Sequence, residues 1–212
     1  LFGDQASVDV QNASGEAANC STIVGSFVSS GVDLIMANGT TALQSAAAAT
    51  TTIPILGTSI TEYGVALGID GFTGTTGMNV SGTSDLAPLD QQAAMLQEWF
   101  PDAKNVGLLY CSAEPNSLYQ VETVQGYLEE MGYTCTPYSF SDSNDLSAVA
   151  TNACAQSDVL YIPTDNTAAT NAELIGNIAQ SSATPIIAGE EGICSGCGVA
   201  TPVSYTHLTL PT

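Results

Sequence analysis

The apolar residues of this chain alternate between two spacings. Short strand-like segments occur at Val32–Met36, Ile53–Leu56, Asn105–Tyr110, Tyr133–Phe140, Val159–Ile162 and Pro185–Ala188. Between them, apolar side chains recur at helical intervals: Cys20, Ile23, Val24, Phe27 and Val28 form one stripe, and Leu118, Val121, Val124, Leu128 and Met131 another. A run that is apolar throughout, such as Val159-Leu-Tyr-Ile162, suits a parallel strand buried on both faces. Strands alternating with helices predict an α/β chain with parallel sheets flanked by helices.

The pattern breaks once. From Gly64 to Gly82 the chain turns to glycine and threonine, which reads as irregular loop with a short strand near Met78–Val80. Two lobes follow from this break: residues 1–82 as a first lobe and 83–202 as a second, with the crossover between them. The second opens at Asp85-Leu-Ala-Pro88, where Asp85 is a candidate N-cap and Pro88 suits a first helical turn. Leu89, Ala93, Leu96 and Phe100 then share a face. Asn116 or Ser117 is expected to cap the next helix and Gly132 to end it. Further helices are expected over 145–154 and 168–181.

Charge narrows the class of partner. Twenty-one acids face one lysine, Lys104, and no arginine, a formal net charge of −20. Nucleic acids and anionic membranes are bound by releasing counterions to Lys and Arg, so neither is an expected partner. An anion here would have to be held by hydroxyls, backbone N–H groups and helix N-termini.

Polar residues cluster where the predicted strands end. Val159–Ile162 is followed by Pro163 and then Thr164-Asp-Asn-Thr167. In open α/β sheets ligands sit beyond the carboxyl ends of strands, which puts the Asp165 carboxylate at such a crevice. Thr40 and Thr41, Thr58, Ser59 and Thr61, Ser112 to Ser117, and Glu190 and Glu191 occupy the other strand ends. Singly, each serves equally as a helix cap or turn residue. Together they describe a polar cleft, with hydroxyls suited to a carboxylate and an aspartate suited to an ammonium, hence to a zwitterion.

Catalytic readings find little material. The only histidine, His207, lies in the closing segment 203–212, which resembles a translated library-adaptor read-through and is set aside as non-native. No Gly-x-Ser-x-Gly elbow or phosphate-binding glycine loop is present. Cys194-Ser-Gly-Cys197 is a CxxC in an expected loop; redox chemistry, zinc, a local disulfide and plain thiols all stay open for it. No cofactor and no metal are expected. Tyr63 and Tyr110 are either core side chains or stacking partners for a ligand.

Four segments in order carry a family resemblance: Asn79-Val-Ser-Gly-Thr-Ser-Asp85, Leu109-Tyr-Cys-Ser-Ala-Glu-Pro-Asn-Ser117, Tyr161-Ile-Pro-Thr-Asp-Asn-Thr167 and Pro185-Ile-Ile-Ala-Gly-Glu-Glu-Gly192. They resemble the tryptophan/tyrosine-type substrate-binding proteins of ABC transporters, and Asp9-Val-Gln-Asn12 and Thr40-Thr-Ala-Leu-Gln44 fit the same family. The resemblance covers about residues 5–201. It implies a type I periplasmic-binding fold whose two lobes close on an amino acid, with Thr40, Thr58, Ser84, Ser117, Asp165 and Glu190 facing the cleft. It further implies no catalysis, a permease as partner, a monomer, and a cell-surface lipoprotein or periplasmic location. Thr61-Glu-Tyr63 departs from the family's Thr-Asp-Pro, and Cys194–Cys197 replaces a stretch without cysteine. The family's first strand and helix, and the chain beyond about Thr201, have no counterpart here. The alternative from another class is the ligand-sensing core of a transcriptional regulator with the same fold.

Overall fold

The computed structural model describes residues 5–201, so the segment 203–212 and His207 lie outside the described residues. Two parallel sheets form. The first holds β1 (Ile35–Asn38), β2 (Ile55–Ile60) and β3 (Val80–Ser84) in that order. The second holds β4 (Asn105–Cys111), β5 (Thr134–Phe140), β6 (Val159–Ile162) and β7 (Ile186–Ala188) in the order β5-β4-β6-β7.

Period-two alternation explains the second sheet. Leu108, Val159, Tyr161 and Ile187 point to one face, where they pack with Leu89, Ala93 and Leu96 of α4 (Leu89–Trp99) and with Val121, Val124 and Leu128 of α5 (Pro115–Glu130). Leu109, Leu160, Ile162 and Ile186 point to the other. There they meet Leu146, Ala150 and Ala153 of α6 (Ser143–Gln156), Ile175 and Ala179 of α8 (Ala172–Ser182), and Ile193 of α9 (Glu191–Cys197). Both faces are buried, which is why β6 reads as an unbroken apolar run.

The first sheet is covered on one side. Ile35, Ala37, Ile55 and Val80 pack with Val24 of α1 (Ala17–Ser30), Leu43 and Ala46 of α2 (Thr40–Ala49), and Tyr63 and Ala66 of α3 (Tyr63–Leu67). On the opposite face Met36 is 70% and Leu56 42% exposed. Gly57 and Gly82 stand opposite each other in β2 and β3, and a Cβ on either would collide with the Tyr63 hydroxyl.

Several expectations need correction. The stretch read as loop from Gly64 opens inside a helix, Tyr63–Leu67, which Glu62 caps by accepting from the Val65 amide. β3 runs on past position 82 to Ser84, and residues 85–88 join it to α4. Asp85 does not cap α4, whose N-cap is Pro88; the residue before a proline is disfavoured in helix, and Ala87 keeps the helix from starting earlier. Likewise α5 begins at Pro115 with Glu114 as its N-cap, which places Asn116 and Ser117 inside the first turn. Leu118 is exposed, and the buried positions around it are Ser117 and Gln120. The helix expected over 168–181 is two, α7 (Asn166–Thr170) and α8, with Asn171 between them.

Candidate functional site

In the second sheet β4 connects to β5 on one side and β6 lies on the other, so the strand order reverses between β4 and β6. The crevice of a doubly wound sheet opens at that switch point, beyond the carboxyl ends of the two strands. Here those ends are Cys111 and Ile162, and the segments that follow carry Glu114 and Asp165.

Asp165 is 1% exposed. One carboxylate oxygen caps α7 by accepting from the Ala168 amide at 2.8 Å; the other accepts from the Cys111 amide at 2.6 Å, tying β6 to β4 across the crevice. Glu114 reaches the same helix from the β4 side. Its oxygens accept from the Asn166 amide (2.9 Å) and side chain (2.7 Å), and from the Thr167 amide (2.9 Å) and hydroxyl (2.8 Å). Two buried carboxylates therefore hold the first turn of α7. Burial, and then the charge of Glu114, push the Asp165 carboxyl up to about 6, while the Ala168 and Cys111 amides and the Ser117 hydroxyl act against that rise. Lys104 cannot relieve the pair, because it sits beside Asp158 at the amino ends of β4 and β6.

A buried polar network sets the position of these groups. The Thr164 carbonyl accepts from Asn116 (3.1 Å), Ser117 (3.4 Å) and Gln120 (3.2 Å), and the Thr164 amide donates to Gln120 at 3.2 Å. Gln92, on α4, donates to the Gly189 carbonyl at 3.1 Å and accepts from the Tyr161 hydroxyl at 2.6 Å. Gly189 has no side chain because a Cβ there would press on the backbone of Pro163 and Thr164. That close approach lets the ends of β6 and β7 stack. Glu190 then caps α9, accepting from the Gly192 amide at 2.7 Å and from the Ile193 amide.

Of the six residues expected at a cleft, Ser117 and Asp165 meet at the switch point, and Glu190 lies at the neighbouring strand end. Thr40, Thr58 and Ser84 occupy the first sheet. Thr40 is the buried first residue of α2, whose N-cap Gly39 (φ 95) offers no side chain to the first-turn amides. Thr58 lies within β2 opposite Asn38, since that strand runs on to Ile60. Ser84 ends β3 and donates to the Thr61 carbonyl at 3.1 Å. The two lobes touch where α3 packs on α5.

Tyr63 is core: it is buried, its ring stacks on Phe72 and its hydroxyl donates to the Thr83 carbonyl. Tyr110 packs half-buried against the α4–α5 face. Glu114 stood in the polar cluster of strand ends without being singled out for the cleft, and Gln92 and Gln120 were not among the expected site residues. Gln92 and Gln120 left a signal, polar residues at positions where the apolar stripe of each helix calls for a hydrophobe. Cys194 and Cys197 lie in α9 and not in a loop.

The chain matches the family model described as ABC transporter substrate binding protein over residues 2–212. It is 33% identical to a tyrosine-binding protein of Clostridioides difficile (strain R20291), covering 97% of this chain and 60% of that protein. Among solved structures it resembles an ABC domain from Streptococcus pneumonia in complex with L-Trp, with a TM-score of 0.88 and 29% identity over 93% of this chain and 68% of that one. A conserved domain protein of Vibrio cholerae gives a TM-score of 0.87 and 27% identity, over 94% and 67% of the two chains. This chain thus spans 60% of the length of the curated relative it matches.

Proposed function

The chain belongs to the ABC transporter substrate-binding protein family, and on that premise we propose that it binds an aromatic amino acid between two lobes for an importer. The fold is that of type I periplasmic binding proteins, and members of the family work outside the cytoplasm as binding proteins. The regulator reading finds no support among the relatives. The observation that carries the proposal is the buried Asp165–Glu114 pair at the switch point, which has no side-chain cation beside it among the described residues. An incoming ammonium supplies that missing positive charge and draws Asp165 back to its ionised form. The first-turn amides of α2, without a side-chain cap, offer the complementary place for a carboxylate. Thr40, Thr58 and Ser84 serve the first lobe, and Ser117, Asp165 and Glu190 the second. Relatives named for tyrosine and bound to L-Trp favour an aromatic side chain.

In this reading the protein is a monomer without catalytic activity or cofactor, delivers ligand to a permease, and resides in the periplasm or as a cell-surface lipoprotein. Ligand stabilises the closed arrangement by binding it better than the open one. Calorimetric titration of the full-length protein with tryptophan, tyrosine, phenylalanine, leucine and a dipeptide tests this. One aromatic amino acid is expected to bind at micromolar affinity or tighter. Asp165→Asn should weaken it at least about tenfold, as removal of a charged hydrogen bond does. A folded protein that binds none of the panel would overturn the proposal; full affinity in Asp165→Asn would retire Asp165 as the ammonium partner.

A further inference from the structure

A cavity of about 370 Å³ opens between α8 and α9, away from the carboxyl ends of the sheets, and two of its lining residues are Cys194 and Cys197. Neither is bonded in a disulfide, and both are half-buried. They are one turn apart in α9, and helical geometry separates the Cα atoms of such a pair by about 5 Å, inside the range a disulfide spans. The backbone around them is drawn in closely. A Cβ on Gly176 of α8 would press on Cys197, and one on Gly198 would press on Cys194, so the thiols are held on packed elements. The remaining cysteines are scattered over α1, β4, β5 and α6.

We propose that Cys194 and Cys197 form a thiol–disulfide exchange site that accepts small, positively charged or neutral disulfides. Cys194 is the less deeply buried thiol and attacks first; its sulfur bonds to one sulfur of the incoming disulfide while the other departs as a thiol. Cys197 then attacks the Cys194 sulfur, closing the intrahelical disulfide and releasing the second thiol. In sum, two protein thiols give up two hydrogens and two electrons, and the small disulfide becomes two thiols. Cys197 gives up its hydrogen bond to the Ile193 carbonyl in the process. Charge selects the reagent. Glu173 lines the cavity, Glu190 and Glu191 act on Cys194, and the chain as a whole carries −20. An anionic disulfide is repelled from such a field and a cationic one drawn in. Burial and these carboxylates raise the Cys194 thiol, and burial raises Cys197 to about 12, so exchange is slow at neutral pH and accelerates as pH rises.

The test treats the folded, reduced protein with cystamine or with oxidised glutathione at equal concentration and follows intact mass, with peptide mapping of residues 191–199. The expected product is the Cys194–Cys197 disulfide, two hydrogens lighter and without adduct. It should form severalfold faster with cystamine at low salt, with the difference shrinking as salt is added. Cys197→Ser should instead accumulate a mixed disulfide on Cys194. Thiols at 194 and 197 that remain fully alkylatable after treatment, a stable adduct on the parent protein, or faster reaction with glutathione disulfide would overturn the proposal.

Discussion

Asp165 shows how one residue serves structure and chemistry at once. Its carboxylate caps α7 and ties β6 to β4 through the Cys111 amide, yet its burial beside Glu114 opposes ionisation. Because the folded-state value is raised from 3.8 to about 6, the folded protein takes up this proton more readily than the unfolded chain. The stability Asp165 contributes is therefore fully present below the unfolded value and is lost as pH rises through about 6. Asp145 and Asp158 carry the opposite sign, being lowered by backbone amides, so the whole-protein profile mixes both. Asp165→Asn isolates the term. Thermal melts of parent and variant without ligand should converge at neutral pH and separate in favour of the parent as pH falls toward 4; a constant gap from pH 4 to 8 would contradict the raised value.

Among the elements, α4 has a part that its sequence stripe conceals. It follows the crossover between the sheets, and through Gln92 it holds the Tyr161 hydroxyl in β6 and the Gly189 carbonyl after β7. Gln92→Leu leaves both partners buried and unpaired, a loss of about 2–3 kcal/mol. Tyr161→Phe removes one donor and should cost about 1 kcal/mol. Combined, the two substitutions should cost less than their sum, because each removes the same bond. Urea unfolding of the two single variants and the double variant measures the coupling, and strict additivity would deny the shared network. Such residues are hard to read in advance. A helical stripe marks where a side chain points, while what it meets belongs to another element far along the chain. α9 went unread for a related reason: its glycines lower helix propensity, and its start depends on the Glu190 cap and on packing against α8.

At the scale of the whole molecule, an acidic chain with a single lysine repels itself. Melting temperature should rise as sodium chloride is added from low ionic strength through the physiological range, because screening relaxes that repulsion. A flat or falling trend would mean that local contacts outweigh the long-range field. The two sheets also differ. The second is covered on both faces, whereas the first leaves Met36 and Leu56 open on one.

The alternation of strand and helix, the bounds of β6 and the glycine stop after α5 were written in the order of residues, since each depends on neighbours within a turn or a strand. Asp165 at a strand end was legible on the same local grounds. Its partnership with Glu114 and Cys111 was not, nor was the Gln92–Tyr161–Gly189 network. Those contacts join positions about fifty to a hundred residues apart. Which strands adjoin, and hence where the switch point opens, is decided only when both faces of the sheet bury their side chains together.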